Sequence, residues 1–247
     1  MPKKFKIGVT ERGDAAVHLN EWVDKAPGLD AIVAITKSVT PELTDFILTP
    51  GIKAKTILHT TITGYGGTRL EPGAPPPEES YALISGMIAG GFPAKQIVLR
   101  IDPIIPTEKG LEHVRKLLGM FKSTGIKRVR FSFLQYYKHA EARFSKLGWA
   151  WPRIDDGMKA ACFRLFSEYA RIYKFQSCAT EVPPEYNHFC AQTGCVSAED
   201  VVILGLEVKL SGSSYQRPKC LCCSAKTELL THRSQCKNKC AYCYWVG

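Results

Sequence analysis

Six short runs of β-branched and other apolar residues alternate with longer stretches of helical period, and this alternation constrains the fold more than any other feature of the chain. The runs are FKIGVT from Phe5, AIVAITK from Ala31, KTILHTTIT from Lys55, QIVLRIDP from Gln96, RVRFSFLQ from Arg128 and FQSCATE from Phe175. Helical stretches fall between them, around 18–25, 41–48, 77–89, 108–122 and 155–173. Pro41 and Pro77 suit a first helical turn, where the missing N–H has no intrahelical partner in any case. Strands separated by helices predict an α/β fold with a parallel sheet and helices outside it. Over 247 residues that sheet is expected to be a TIM-like (β/α) barrel, closed or partly open. Residues 1–181 form the barrel core in this reading. Residues 182–247 are a cysteine-rich segment that completes the mouth, with a short helix before Gly205 and KTELLTH from Lys226 as a last strand.

Barrels of this class do chemistry at the C-terminal ends of their strands, where the βα loops gather. Those ends supply Glu11, Arg12 and Asp14, then Lys37 and Ser38, then residues 61–65. Later strands add Arg100 and Asp102, Gln135 and Tyr136, and Glu181. A polar residue closing an apolar run is often no more than a strand end meeting water. Together these residues predict a polar mouth, with Arg100, Asp102, Gln135, Tyr136 and Glu181 as candidate catalytic and substrate-contacting groups.

The cysteines narrow the chemistry. The start, MPKKFKIGVT, has no apolar stretch behind its basic residues, and no apolar run approaches the roughly 18 residues that span a bilayer. A soluble, cytoplasmic protein without a membrane partner is therefore expected. In a reducing compartment, ten cysteines read as metal ligands or small buried residues before they read as disulfides. None precedes Cys162, and six lie between Cys220 and Cys243. Cys236, Cys240 and Cys243 are spaced C-x3-C-x2-C. Structural zinc takes four protein ligands, and His232 would complete such a set. A [4Fe–4S] cluster held by only three thiolates leaves one iron open to a small molecule. The net charge of +10 favours a polyanionic partner, or it is simply a solvated basic surface. The KRVR run at 127–130 is a poor candidate for a binding patch, because it leads into an apolar strand.

CKNKCAYCYW resembles the cluster loop of the DNA-repair-photolyase branch of radical S-adenosylmethionine (SAM) enzymes, which includes spore photoproduct lyase. That loop ends in C-x-Y-C-Y, matched here by residues 240–244. The same branch carries a T-K-S-like strand end, matched by Thr36, Lys37 and Ser38, and an E-P-G-x-x-P element, matched by residues 71–76. A P-I-I-P strand exit corresponds to residues 103–106. In those enzymes the cluster loop follows the first strand, whereas here it follows everything else. A circular permutation accounts for this, since the first and last strands of a barrel are neighbours. TITGYG (61–66), RIDPI (100–104), FSFLQYY (131–137) and SCATE (177–181) are similar to an uncharacterised radical-SAM-like family whose cysteine cluster lies at the C-terminus.

The resemblance implies roles. Cys236, Cys240 and Cys243 would hold a [4Fe–4S] cluster, with Tyr242 in the aromatic place of the motif. Lys37 would meet the SAM carboxylate, in a cofactor site shared with Ser38, Thr63, Tyr65, Gly66 and Tyr242. No Gly-Gly-Glu element for the SAM amino group is evident, and GYGG at 64–67 is a weak substitute. Cys178, Cys195, Cys220 and Cys222 would form a second site for an iron–sulfur cluster or zinc, unless some are merely buried. Cys162 reads as a core residue. The implied activity is radical SAM chemistry on a nucleic-acid (DNA or RNA) or nucleotide substrate, with a flavodoxin- or ferredoxin-like reductant. The same residues also allow a non-enzymatic, metal-stabilised nucleic-acid-binding or redox-sensing protein, or a radical SAM enzyme acting on a peptide or small metabolite.

Overall fold

The computed structural model describes residues 5–207, 210, 221, 226–231 and 236–244. All six apolar runs form strands: β1 Ile7–Val9, β2 Ala31–Thr36, β3 Thr56–Thr61, β4 Ile97–Ile104, β5 Arg128–Phe133 and β6 Lys174–Ser177. Two more strands come from beyond residue 181, β7 Cys190–Gln192 and the anticipated β8 Lys226–Glu228. They make one sheet in the order β7-β6-β5-β4-β3-β2-β1-β8, and every pairing is parallel. The order steps from neighbour to neighbour until β8 returns to the free side of β1. Ile7 is then in register with both Ala31 and Lys226.

The helices are α1 Leu19–Trp22, α2 Pro41–Leu48, α3 Pro50–Lys53, α4 Pro77–Ala89, α5 Glu108–Phe121, α6 Lys138–Lys146, α7 Asp156–Glu168 and α8 Ala198–Ile203. Thr40, Thr107 and Asp155 cap α2, α5 and α7 by accepting the N–H three residues on. Ser197 and Asp200 cap α8 reciprocally. In each case a side-chain oxygen satisfies an N–H that the helix leaves without a partner.

The period-two alternation of the strands divides the core. Ile32, Ala34, Leu58, Leu99, Val129 and Phe131 face the helices, packing on Leu43, Ile84, Leu117 and Phe166 among others. Phe166 stacks on Phe175 at 4.2 Å between ring centroids and lies 4.7 Å from Phe131; such pairs contribute about 1 kcal/mol each beyond their buried area. The alternate residues, Val9, Val33, Ile35, Ile57 and Val98, face inward and are covered by Cys178, Cys195, Val196 and their neighbours. The helices α2, α4, α5 and α7 pack on the first of these faces, while Ile203 of α8 and the following Leu204 pack against the second. Arg128 and Arg130 of the KRVR run are buried rather than displayed. Among the described residues, no helix is long and apolar enough to cross a membrane.

Candidate metal and cofactor site

The site is built where β1 and β2 end. Just past β1, the buried carboxylate of Asp14 collects five donors. The Ala16 and Val17 amides donate to one oxygen, and Thr36 Oγ1 donates to the same oxygen at 2.6 Å. The Lys37 amide at 2.7 Å and Asn238 Nδ2 at 2.8 Å donate to the other. One carboxylate thus fixes the exit of β2 and reaches across to the cysteine loop. Lys37 lines a cleft, and its Nζ donates to Glu71 Oε1 at 3.0 Å and to Tyr242 OH at 2.9 Å. Glu71 is 2% exposed and also accepts from Thr63 Oγ1 at 2.6 Å. Burial works against the Lys37 charge, but Glu71 together with Cys240 and Asp102 raises its pKa nonetheless. Ser38 Oγ donates to Asn238 Oδ1 at 2.8 Å.

The loop 236–244 makes two successive tight turns, Lys239 N to Cys236 O and Cys243 N to Cys240 O, both 3.1 Å. Lys239 takes a left-handed backbone, φ 46°. The loop is docked through its backbone as well. Ala241 N donates to Leu70 O at 2.9 Å, and Gly73 N donates to Asn238 O at 3.2 Å. Arg143 on α6 donates to the carbonyls of Ala241 and Cys243. The approach at Gly73 is close enough that a Cβ there would overlap the Lys237 carbonyl oxygen. Ala241 and Tyr242 complete an apolar cluster with Tyr65, Ile105, Leu134 and Phe144.

Cys236, Cys240 and Cys243 line one wall of a cleft of about 240 Å3, and Lys37 lines it beside them. Arg100, Asp102, Ser132 and Gln135 line the same cleft. Cys178 and Cys195 lie in the same cleft, nearly buried, with their sulfurs 3.9 Å apart. Burial pushes the Cys236 thiol up and the Cys240 thiol up to about 12, with Lys37 pulling the other way in both. These two thiols are therefore protonated at neutral pH, and a metal that took them as thiolates would have to displace their protons. Three thiols on one short loop facing one cleft fit a thiolate-bound metal group. Among the described residues no three His, Cys, Asp or Glu side chains surround a single point as ligands of one ion. A cluster asks for less convergence, because each thiolate binds a different iron.

Asp102 ties two of these residues together, accepting from the Arg100 guanidinium and from Ser132 Oγ. Burial opposes the Arg100 charge, and Asp102, with Cys195 and Cys178 behind it, raises its pKa nonetheless. Deeper in, the fully buried Arg130 donates to the Cys195 carbonyl and to Gln176 Oε1, both at 2.8 Å. It also meets His59 Nε2 at 3.4 Å. Burial, and then Arg130, Arg100 and Arg128, hold His59 well below its ordinary pKa, so its imidazole is neutral.

The cleft thus brings together Lys37, Arg100, Asp102, Gln135, Tyr242 and five of the seven predicted metal-ligating cysteines. Cys220 and Cys222, like His232, lie outside the described residues. Leu221 is described, and its carbonyl oxygen sits where a Cβ on Gly194 would be, next to Cys195. Tyr136 is 56% exposed and donates to Glu141; its neighbour Tyr137 lines the cleft and donates to Gln135 Oε1. Glu181 is exposed and off the cleft wall. Ser38, Thr63, Tyr65 and Gly66 form the scaffold behind Lys37 rather than the wall. Sequence reasoning gave no role to Glu71, Asn238 or Arg143. Glu71 was visible within the E-P-G element and Asn238 within CKNKC, but nothing in local spacing signals Arg143.

The model of a family described as a domain of unknown function, DUF1848, matches residues 16–245 of the chain. No curated protein matches it.

Proposed function

This chain belongs to the DUF1848 family, and from its site we propose that it is a radical SAM enzyme whose iron–sulfur cluster is held by Cys236, Cys240 and Cys243. The observation that carries this reading is that all three thiols face one cleft together with Lys37, Arg100 and Asp102. When bound, such a cluster supplies the electron that cleaves SAM to methionine and a 5′-deoxyadenosyl radical, which takes a hydrogen atom from substrate. The residues around it bind and orient. Lys37 meets the cofactor carboxylate, which then competes with Glu71 for its ammonium. Arg100, held by Asp102, and Gln135 face the substrate in the same cleft. The sheet is read as a barrel, open or closed between β7 and β8, with the cleft at its mouth.

The substrate is a nucleic acid or nucleotide in this reading, supported by the net charge of +10, and the electron comes from a flavodoxin- or ferredoxin-like partner. Cys178 and Cys195 belong to a second metal site. Two thiolates bound tetrahedrally about 2.3 Å from one metal stand about 3.8 Å apart, and the observed 3.9 Å supports a shared ion or cluster. Cys220 and Cys222, which flank Leu221 in sequence and lie outside the described residues, are the candidates for its remaining donors. The test is anaerobic purification with assays of iron, sulfide and zinc per chain, then SAM and dithionite with detection of 5′-deoxyadenosine. Iron and sulfide that fall when Cys236, Cys240 and Cys243 are changed to Ser, together with SAM cleavage, are the expected results. Zinc without iron, or a cluster inert toward SAM, would instead indicate a metal-stabilised binding or sensing protein. Salt-sensitive binding of DNA or RNA would separate a nucleic-acid substrate from a peptide or small metabolite.

A further inference from the structure

We infer that Glu71 and Asp14, two buried carboxylates outside the cysteine loop, are positioning residues that seat the loop 236–244 in its ligand-presenting conformation before any metal arrives. The reference to ligands rests on the proposed function; the seating itself does not. The two carboxylates act on different side chains of the loop, although both also hold Lys37, Asp14 through its amide and Glu71 through its ammonium. Glu71 takes the Lys37 ammonium at 3.0 Å, and the same ammonium donates to Tyr242 OH at 2.9 Å. Asp14 takes Asn238 Nδ2 at 2.8 Å, and Asn238 Oδ1 accepts from Ser38 Oγ at 2.8 Å. Asn238 and Tyr242 alternate with the cysteines along the loop, Asn238 between Cys236 and Cys240 and Tyr242 between Cys240 and Cys243. Both are buried. The non-cysteine residues therefore anchor the loop and leave the three thiols on the cleft wall.

This arrangement differs from a loop that only its metal holds in place. A flexible loop with three thiols loses conformational freedom when it binds, and that loss weakens binding. Here the ordering is supplied in advance by groups that no metal touches. Charge makes the Glu71 relay demanding. Lys37 and Glu71 have side chains only 14% and 2% exposed, and removing one member of a buried pair strands the other's charge. Lys37 without Glu71 must turn toward solvent, and Tyr242 loses its donor. Glu71→Gln keeps an acceptor for Lys37 but not the charge, so it separates hydrogen bonding from ion pairing.

The experiment uses the full-length, metal-free protein and follows amide hydrogen exchange by mass spectrometry. Ala241, whose N–H is bonded to Leu70 O, reports on the loop, and β2 to β5 report on the rest of the fold. In Glu71→Ala and in Asn238→Ala, exchange at 236–244 is expected to rise by about tenfold or more, with β2 to β5 unchanged. Glu71→Gln should fall between these variants and the parent. Loop exchange that is already fast in the metal-free parent, or unchanged in both alanine variants, overturns the inference. Should Glu71→Ala also loosen β2 to β5, Asn238→Ala decides, since it breaks the second relay without stranding a charge. A protected loop in a protein that binds no iron would leave this inference standing while the proposed function failed.

Discussion

His59 shows how a single residue ties the interior to pH. It is fully buried on β3, and the charges of Arg130, Arg100 and Arg128 add to burial in keeping it neutral. The unfolded chain takes up a proton at this imidazole as pH falls through about 6.5, and the folded chain does not. Its contribution to stability is therefore complete above that pH. Below it, stability drops by about 1.4 kcal/mol per pH unit from this group alone. Urea denaturation at about pH 7 and about pH 5 should show that loss in the parent and a flatter dependence in His59→Gln. Parallel slopes for the two proteins would mean that His59 is protonated in the folded state.

Among the elements, α5 offers a clean measurement. Thr107 accepts from Gly110 N, and the same helix supplies Val114, Leu117, Leu118 and Phe121 to the core. Thr107→Ala should cost about 1 kcal/mol through the lost cap, read as a shift in urea midpoint with an unchanged denaturant slope. The same elements show what the sequence makes readable. Pro41–Leu48 and Pro77–Ala89 have the predicted limits because a proline in the first turn and an apolar stripe coincide there. The six apolar runs were legible as strands because both faces of this sheet are buried, so continuous β-branched stretches were required. β7 was not legible: Cys190–Gln192 reads CAQ, and its extended form comes from pairing with β6. The helix α6 was missed for a similar reason, since its apolar contacts, Ala140 and Phe144, are too few to set a period. At the site, the cysteines and Lys37 stood out by spacing and by strand position. The bonds that join Asp14 to Asn238 and Lys37 to Tyr242 span more than 200 residues, and no local pattern encodes them.

For the molecule as a whole, β8 is as important as the loop that follows it. It pairs with β1, the Leu229 amide donates to the Val9 carbonyl, and the Lys25 ammonium closes on the Leu229 carbonyl. Ending the chain after residue 231 keeps this strand and removes the cysteine loop; the product should fold and bind less metal. Ending it after residue 225 exposes the edge of β1, and an unpaired edge invites association. Circular dichroism and light scattering should find the first product folded and soluble and the second unfolded or aggregated. Equal behaviour of the two would show that the sheet does not depend on β8.

The place of β8 in the sheet also sets a timetable. A ribosome releases β1 to β7, and with them Asp14, Lys37, Glu71, Arg100 and Asp102, before the strand that flanks β1 and the thiols behind it. Nascent domains fold as they emerge, so the cradle can form early, when the loop it receives has not yet been translated. Once translated, the loop then docks through Asn238 and Tyr242 onto a largely finished receptor rather than a growing chain.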